Sequence, residues 1–191
     1  MTSETTEHVR KNREHWEHES DDYQERNRGQ LNRWDLLGWG VFDAPEDEIQ
    51  ALGDVIGVRA LELGCGACQF GIKVAKRGAQ VTGLDFSFTQ LRHAVGHFDE
   101  TGVRFPIVQA NGERIPFRDE AFDLVFCDHG VMGFADPFLT VPEVARMLRP
   151  GGRPGPGPGG CGYGRDRRRR IHGSEALGRS ARRGGESPSP R

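Results

Sequence analysis

The feature that most constrains this chain is Val58-Arg59-Ala60-Leu61-Glu62-Leu63-Gly64-Cys65-Gly66. Its apolar residues predict a short buried strand, and Gly64 and Gly66 then form a turn bare of side chains, against whose backbone a ligand can lie. From Gln69 to Arg77 the apolar spacing becomes helical, with Phe70, Ile72, Val74 and Ala75 set among polar residues. Strand, glycine turn and helix in that order predict a nucleotide-binding βα unit.

A second strand, Gln80-Val81-Thr82-Gly83-Leu84, ends on Asp85, 21 positions beyond Gly64. An acidic residue about 20 positions after the glycines is placed to accept hydrogen bonds from ribose hydroxyls, so the ligand carries adenosine. The dinucleotide pattern G-x-G-x-x-G fails, because Gly64-x-Gly66 is followed by Ala67, Cys68 and Gln69 with the next glycine at Gly71. Glu62 at the strand end would also repel a pyrophosphate. It suits a ligand whose nearby end carries an ammonium or sulfonium, as S-adenosylmethionine (SAM) does. An NAD-dependent oxidoreductase is disfavoured on both counts.

Further motifs follow in order: Gly83-Leu84-Asp85-Phe86-Ser87, Asn111-Gly112-Glu113-Arg114-Ile115-Pro116-Phe117, Ala121-Phe122-Asp123-Leu124-Val125 and Leu148-Arg149-Pro150-Gly151-Gly152. Together with Glu62-x-Gly64-x-Gly66 they resemble the successive motifs of class I SAM-dependent methyltransferases (methyltransferase type 11-like domain). The resemblance implies an α/β fold with a Rossmann-like parallel sheet of the class I methyltransferase type. It implies SAM as cofactor, with Gly64, Cys65 and Gly66 along its methionine and ribose, and Glu62 toward its amino-acid end through neighbouring groups. Asp85 would bind the ribose hydroxyls beside Phe86, Asn111 and Gly112 would border the adenine, and Cys127 would complete the set. Two departures stand out: Cys68 where the family often has a third glycine, and Asn111 where it usually has Asp. Asn keeps an acceptor oxygen for an adenine amine, so neither change removes the site.

The chain of 191 residues suits one core-forming domain. Its net charge of −2 hides an asymmetry, since residues 153–191 hold ten Arg against three acids. The composition boundary at Gly152 divides a helical lid segment at 1–38 and a SAM-binding domain at 39–152 from a disordered Arg/Gly/Pro-rich tail at 153–191. The family places a fifth strand and more beyond this point. Arg153-Pro154-Gly155-Pro156 cannot be a central strand, because proline removes ladder donors. The C-terminal strands are therefore expected to be missing, through truncation or a shifted reading frame, since alternating Pro and Gly codons read one nucleotide later can spell Leu and Val. Arg165-Asp166-Arg167-Arg168-Arg169-Arg170 reads as a solvated tail, with nucleic-acid binding its rival reading.

No apolar run approaches the length of a membrane span, and the N-terminus carries no apolar leader, which predicts a cytoplasmic protein without membrane contact. Cys65, Cys68, Cys127 and Cys161 include one C-x-x-C pair but no second pair for zinc, so ordinary reduced thiols are expected. His8, His15 and His18 have no carboxylate or Cys pattern to complete a metal site, and none is predicted.

Trp16 and Tyr23, seven apart, share one stripe of an N-terminal helix, which is either a plain surface helix or a lid over the ligands. Ala44-Pro45-Glu46-Asp47-Glu48 starts a helix with Ile49, Leu52, Val55 and Ile56 as its buried face. Ser87 caps a helix whose inner stripe is Leu91, Ala94, Val95 and Phe98. Residues 103–108 give a third strand made irregular by Pro106, and Phe122–Cys127 a fourth, followed by a helix ending near Leu148 with Val141, Val144 and Leu148 inward. Strands alternating with helices imply a parallel sheet with ligands at the strands' carboxyl ends. Asp128 and His129 follow the fourth strand and are the candidates for orienting the methyl acceptor or taking its proton, or else simply cap the turn. The partner implied is a small-molecule acceptor rather than nucleic acid. The alternative is a non-catalytic, truncated SAM-binding remnant.

Overall fold

The computed structural model describes residues 6–40 and 42–155. The tail from 156 onward, with Cys161 and the arginine cluster 165–170, lies outside the described residues. In chain order the elements are α1 (Glu7–Leu31), β1 (Gly38–Trp39), β2 (Ala44–Pro45), α2 (Glu46–Ile49), β3 (Arg59–Leu63), α3 (Gln69–Lys76), β4 (Gln80–Asp85), α4 (Phe88–Thr101), β5 (Ile107–Gln109), β6 (Phe122–Phe126), α5 (Pro137–Met147) and β7 (Leu148–Pro154). A 3-10 turn spans Val131–Gly133. β1 and β2 form a small antiparallel hairpin, while the other five strands make one parallel sheet in the order β5-β4-β3-β6-β7. This is the Rossmann-like architecture expected.

Alternation along the strands assigns each residue a face. Ala60 of β3 and Leu124 and Phe126 of β6 join Phe70 and Val74 of α3 on one face. Leu61 and Leu63 of β3 and Val125 of β6 join Met147 of α5 on the other. Leu61, Leu63 and Leu124 are at most 1% exposed, so each contributes about 2 kcal/mol of burial. A third apolar group, Ile72, Leu91, Ala94 and Phe98, packs α3 against α4. Val95, expected in that stripe, is 45% exposed instead. Leu91, Ala94 and Phe98 already fill the i, i+3, i+7 positions that face α3, and Val95 falls one step off them.

The helix expected after Ala44-Pro45 starts where predicted but stops after one turn, and Ile49 and Ile56 are exposed while Leu52 and Val55 are buried. The cause is Glu46. Its buried carboxylate accepts the Trp39 indole N–H at 2.6 Å and the backbone N–H groups of Ala51 and Leu52 at 3.2 and 2.7 Å. Those N–H groups are thereby satisfied without helical partners, and Gln50 turns left-handed at φ 49° to end the helix.

The third strand is shortened to Ile107–Gln109, with Pro106 contributing only its carbonyl, which accepts the Gly83 N–H at 2.9 Å. A second correction concerns the composition boundary. Arg153 and Pro154 pair with Leu124 and Val125 of β6, and the Gly155 N–H donates to the Val125 carbonyl at 2.7 Å. The sheet thus runs two residues past Gly152. Pro154 is accommodated because β7 is an edge, where a missing donor leaves no ladder bond unmade.

Candidate functional site

The carboxyl ends of β3, β4, β5 and β6 open onto a cavity of about 480 Å³, a size typical of small-molecule sites. Of the sequence-predicted residues, Glu62, Gly64, Cys65, Gly66, Asp85, Phe86, Asn111, Gly112, Asp128 and His129 all line it. Four successive loops bring them together. The exception is Cys127, which is 5% exposed and packed among Leu61, Val125 and Met147 on the α5 face, its thiol pushed up to about 11 by burial. Strand alternation explains this. Val125 and Cys127 point one way and Phe126 and Asp128 the other, so Asp128 reaches the cavity and Cys127 cannot.

Gly64 and Gly66 both adopt left-handed backbone, with φ 71° and 51°. A Cβ on Gly64 would lie 2.4 Å from the Val131 nitrogen, so the chain after β6 closes directly on the bare turn. Val131 also covers Gly112, where an added Cβ would come within 2.5 Å of its side chain. This valine, which the sequence did not single out, therefore packs over two of the predicted contact glycines.

Asp85 is 7% exposed, and its two oxygens accept the Gly66 N–H at 2.8 Å and the Ser87 N–H at 2.9 Å. Burial raises its pKa to about 6, against the opposing pull of those N–H groups. Glu62, on the α3 face, accepts the Gly71 N–H at 3.0 Å. Burial and the neighbouring Asp128 push its carboxyl well above the usual range. Gly71 is needed there, since a Cβ would meet the Glu62 carboxylate at 2.4 Å. Asp128 accepts the Gly40 N–H of the β1–β2 hairpin at 3.1 Å, and burial raises its pKa too. His129 takes φ 54° and faces Gly40. Three carboxylates with burial-raised pKa values on one cavity wall mark a place prepared for positive charge.

The opposite wall is α1. Trp16 stacks edge-on with Tyr23 at 5.3 Å and with Phe134 at 5.7 Å, and all three line the cavity. Helix α1 buries only Val9, Ser20 and Gln24, so polar contacts hold it. Glu17 accepts the backbone N–H groups of Phe88 and Thr89 at 2.7 and 3.0 Å at the start of α4. Gln24 donates to Gln90 at 2.8 Å and accepts from Gln69. Asp21 pairs with Arg92 and His93, and His8 with Glu113. None of these was legible in advance, since each joins residues far apart in sequence. Lys73, also missed, lines the cavity from α3, and its spacing of four from Gln69 was an available signal.

Among the described residues, no group of three or more His, Cys, Asp and Glu is placed to hold a metal ion. No helix among them is long and apolar enough to cross a membrane.

Residues 61–154 match the model of a family described as a methyltransferase domain. The ubiquinone biosynthesis O-methyltransferase of Photorhabdus laumondii is 33% identical over 108 residues, covering 54% of this chain and 44% of that protein. Its counterpart in Yersinia pestis is 33% identical over 105 residues, 54% of this chain and 43% of that protein. A S-adenosylmethionine-dependent methyltransferase structure from Mesorhizobium loti matches with TM-score 0.50 at 28% identity, over 56% of this chain and 49% of that one. The [4+2]-cyclase SpnF matches with TM-score 0.62 at 22% identity over 75% of this chain and 57% of that one, a likeness of fold alone. The chain spans less than half the length of the curated relatives it matches.

Proposed function

We propose that this chain, which belongs to the class I SAM-dependent methyltransferases, binds SAM in the strand-end cavity and directs its methyl group to a small-molecule acceptor. The observation that carries this reading is the position of Asp85. A buried carboxylate at the end of β4 sits beside the bare Gly64–Gly66 turn, in one cavity with Asn111 and Gly112. The residues present fit the cofactor. Gly64 and Gly66 leave backbone uncovered, Asp85 offers oxygens to two ribose hydroxyls, and Glu62 lies toward the ammonium end.

When bound, SAM supplies a methyl group already activated on a sulfonium, so the protein's share is alignment and proton handling. Gly64, Gly66, Asp85 and Glu62 would hold SAM, which would give up its methyl group to the acceptor and remain as S-adenosylhomocysteine. Asp128 and His129, at the end of β6, stand where an acceptor's proton would go. The raised pKa of Asp128 makes it a better base than an ordinary aspartate. Helix α1 acts as a lid, its Trp16–Tyr23 stripe closing the aromatic side of the acceptor space.

The acceptor class follows the curated relatives only as far as a small molecule. Their printed names specify O-methylation, and an oxygen acceptor needs a base such as Asp128 supplies. Cytoplasmic placement and the lid at 1–38 are part of the same proposal. The test is to incubate the 191-residue chain with SAM and a panel of phenols, amines and thiols and to follow S-adenosylhomocysteine formation. Turnover lost in Asp128→Asn or His129→Ala, with cofactor binding kept, supports these roles. Binding without turnover on any acceptor favours the remnant reading, in which this length of chain holds SAM without using it.

A further inference from the structure

The cavity carries an uneven set of charges. Glu62, Asp85, Asp128 and Asp43 line it with carboxylates, whereas Lys73 is the one Lys or Arg lining it among the described residues. Asp43 is already matched by Arg33. Lys73 sits one helical turn beyond Gln69 on α3, half-buried, feeling Arg33, Asp43, Asp128 and Glu62 through space without a hydrogen bond to any of them. Burial and the Arg33 guanidinium lower its pKa. A desolvated ammonium with no bonded partner is costly to keep, and an anion delivered into the cavity removes that cost.

The ligand that fits such a pattern is a zwitterion. An α-amino acid group presents a carboxylate and an ammonium two bonds apart, needing one cation set among acids. We propose that Lys73 is the carboxylate anchor of this cavity, pairing with the α-carboxylate at the methionine end of the cofactor while Glu62 faces its ammonium. The inference rests on the SAM reading above and goes beyond it by assigning a residue that the motifs do not reach. It divides the cavity into a nucleoside end at Asp85 and Asn111 and an amino-acid end at Lys73, with the aromatic stripe left for the acceptor.

The test compares SAM with decarboxylated SAM, which keeps the nucleoside, sulfonium and ammonium and lacks only the carboxylate. In calorimetric titrations the 191-residue chain is expected to bind SAM at least about tenfold more tightly than the decarboxylated form. Lys73→Met should weaken SAM by that factor and leave the decarboxylated ligand unchanged, erasing the preference, and Lys73→Arg should keep most of it. A wild-type chain that binds both ligands equally overturns the proposal without any variant. So does a Lys73→Met chain that retains the preference, as it would if Lys73 served a carboxylate on the acceptor. Equal loss of both ligands, in a chain that melts like wild type, overturns it as well. A folded wild type that binds neither ligand overturns the cofactor reading itself, and this one with it.

Discussion

The two walls of the cavity are built in opposite ways. The wall at the ends of β3, β4 and β5 is backbone and buried carboxylate, with Gly64, Gly66 and Gly112 on a sheet whose central strands β3, β4 and β6 are mostly buried. The wall formed by α1 is side chain against side chain, held by Glu17, Asp21 and Gln24 with little apolar burial. The first is preformed and rigid, because moving it means moving the core. The second can separate without exposing much apolar surface, as the lid proposed above would have to.

The largest effects should come from the rigid wall. Gly64→Ala places a Cβ against the Val131 backbone in a left-handed conformation, so it should cost about 2–4 kcal/mol of stability and abolish cofactor binding. Denaturant unfolding and calorimetry check both. A stable variant that still binds would mean that the chain after β6 is not seated on the turn.

Next comes the pH response. Asp85 has its folded pKa raised from 3.8 to about 6. In the free protein this group therefore contributes stability that is complete below about pH 4 and is lost as pH rises through 6. Ribose hydroxyls bond best to the ionised carboxylate, so S-adenosylhomocysteine should bind more tightly as pH rises through 6, by at most about tenfold per unit. Titrations at pH 5 and 8 should show the step in wild type, and any binding left in Asp85→Ala should lack it.

On the α1 wall the effects should be smaller and local. Glu17→Ala removes an acceptor from the N-terminal N–H groups of α4 and should cost about 1 kcal/mol. The expected readout is faster hydrogen exchange along residues 7–31 with the amides of β3 and β4 unchanged. Exchange that speeds equally in both would make α1 part of the core and not a lid. His8→Ala, which removes the pairing of a half-exposed imidazole with the buried Glu113 carboxylate while that carboxylate keeps the Asp136 N–H, should alter stability by no more than about 1 kcal/mol.

The same division governs what could be read from the sequence. Strand–turn–helix order, the role of Ser87 as a cap and the set of residues at the strand ends are local or periodic properties, and the structure has them. The side chain of Cys127 packs away from the cavity, as alternation from Leu124 and Phe126 implies. The early end of α2 was not legible, because it depends on the Glu46 carboxylate meeting Trp39 across the hairpin. Arg153 and Pro154 look like a break in composition. They join the sheet only because β6 offers an edge that a proline can line. The links from α1 to α4 and α3 connect positions 45 to 72 residues apart, beyond any pattern within one element.

The most direct test is calorimetric titration of the 191-residue chain with S-adenosylhomocysteine beside an Asp85→Ala control. The account predicts micromolar binding by the wild type that the substitution abolishes while the variant still melts cooperatively. A folded wild type that does not bind, or a variant that binds equally well, would contradict the assignment of the strand-end cavity to SAM.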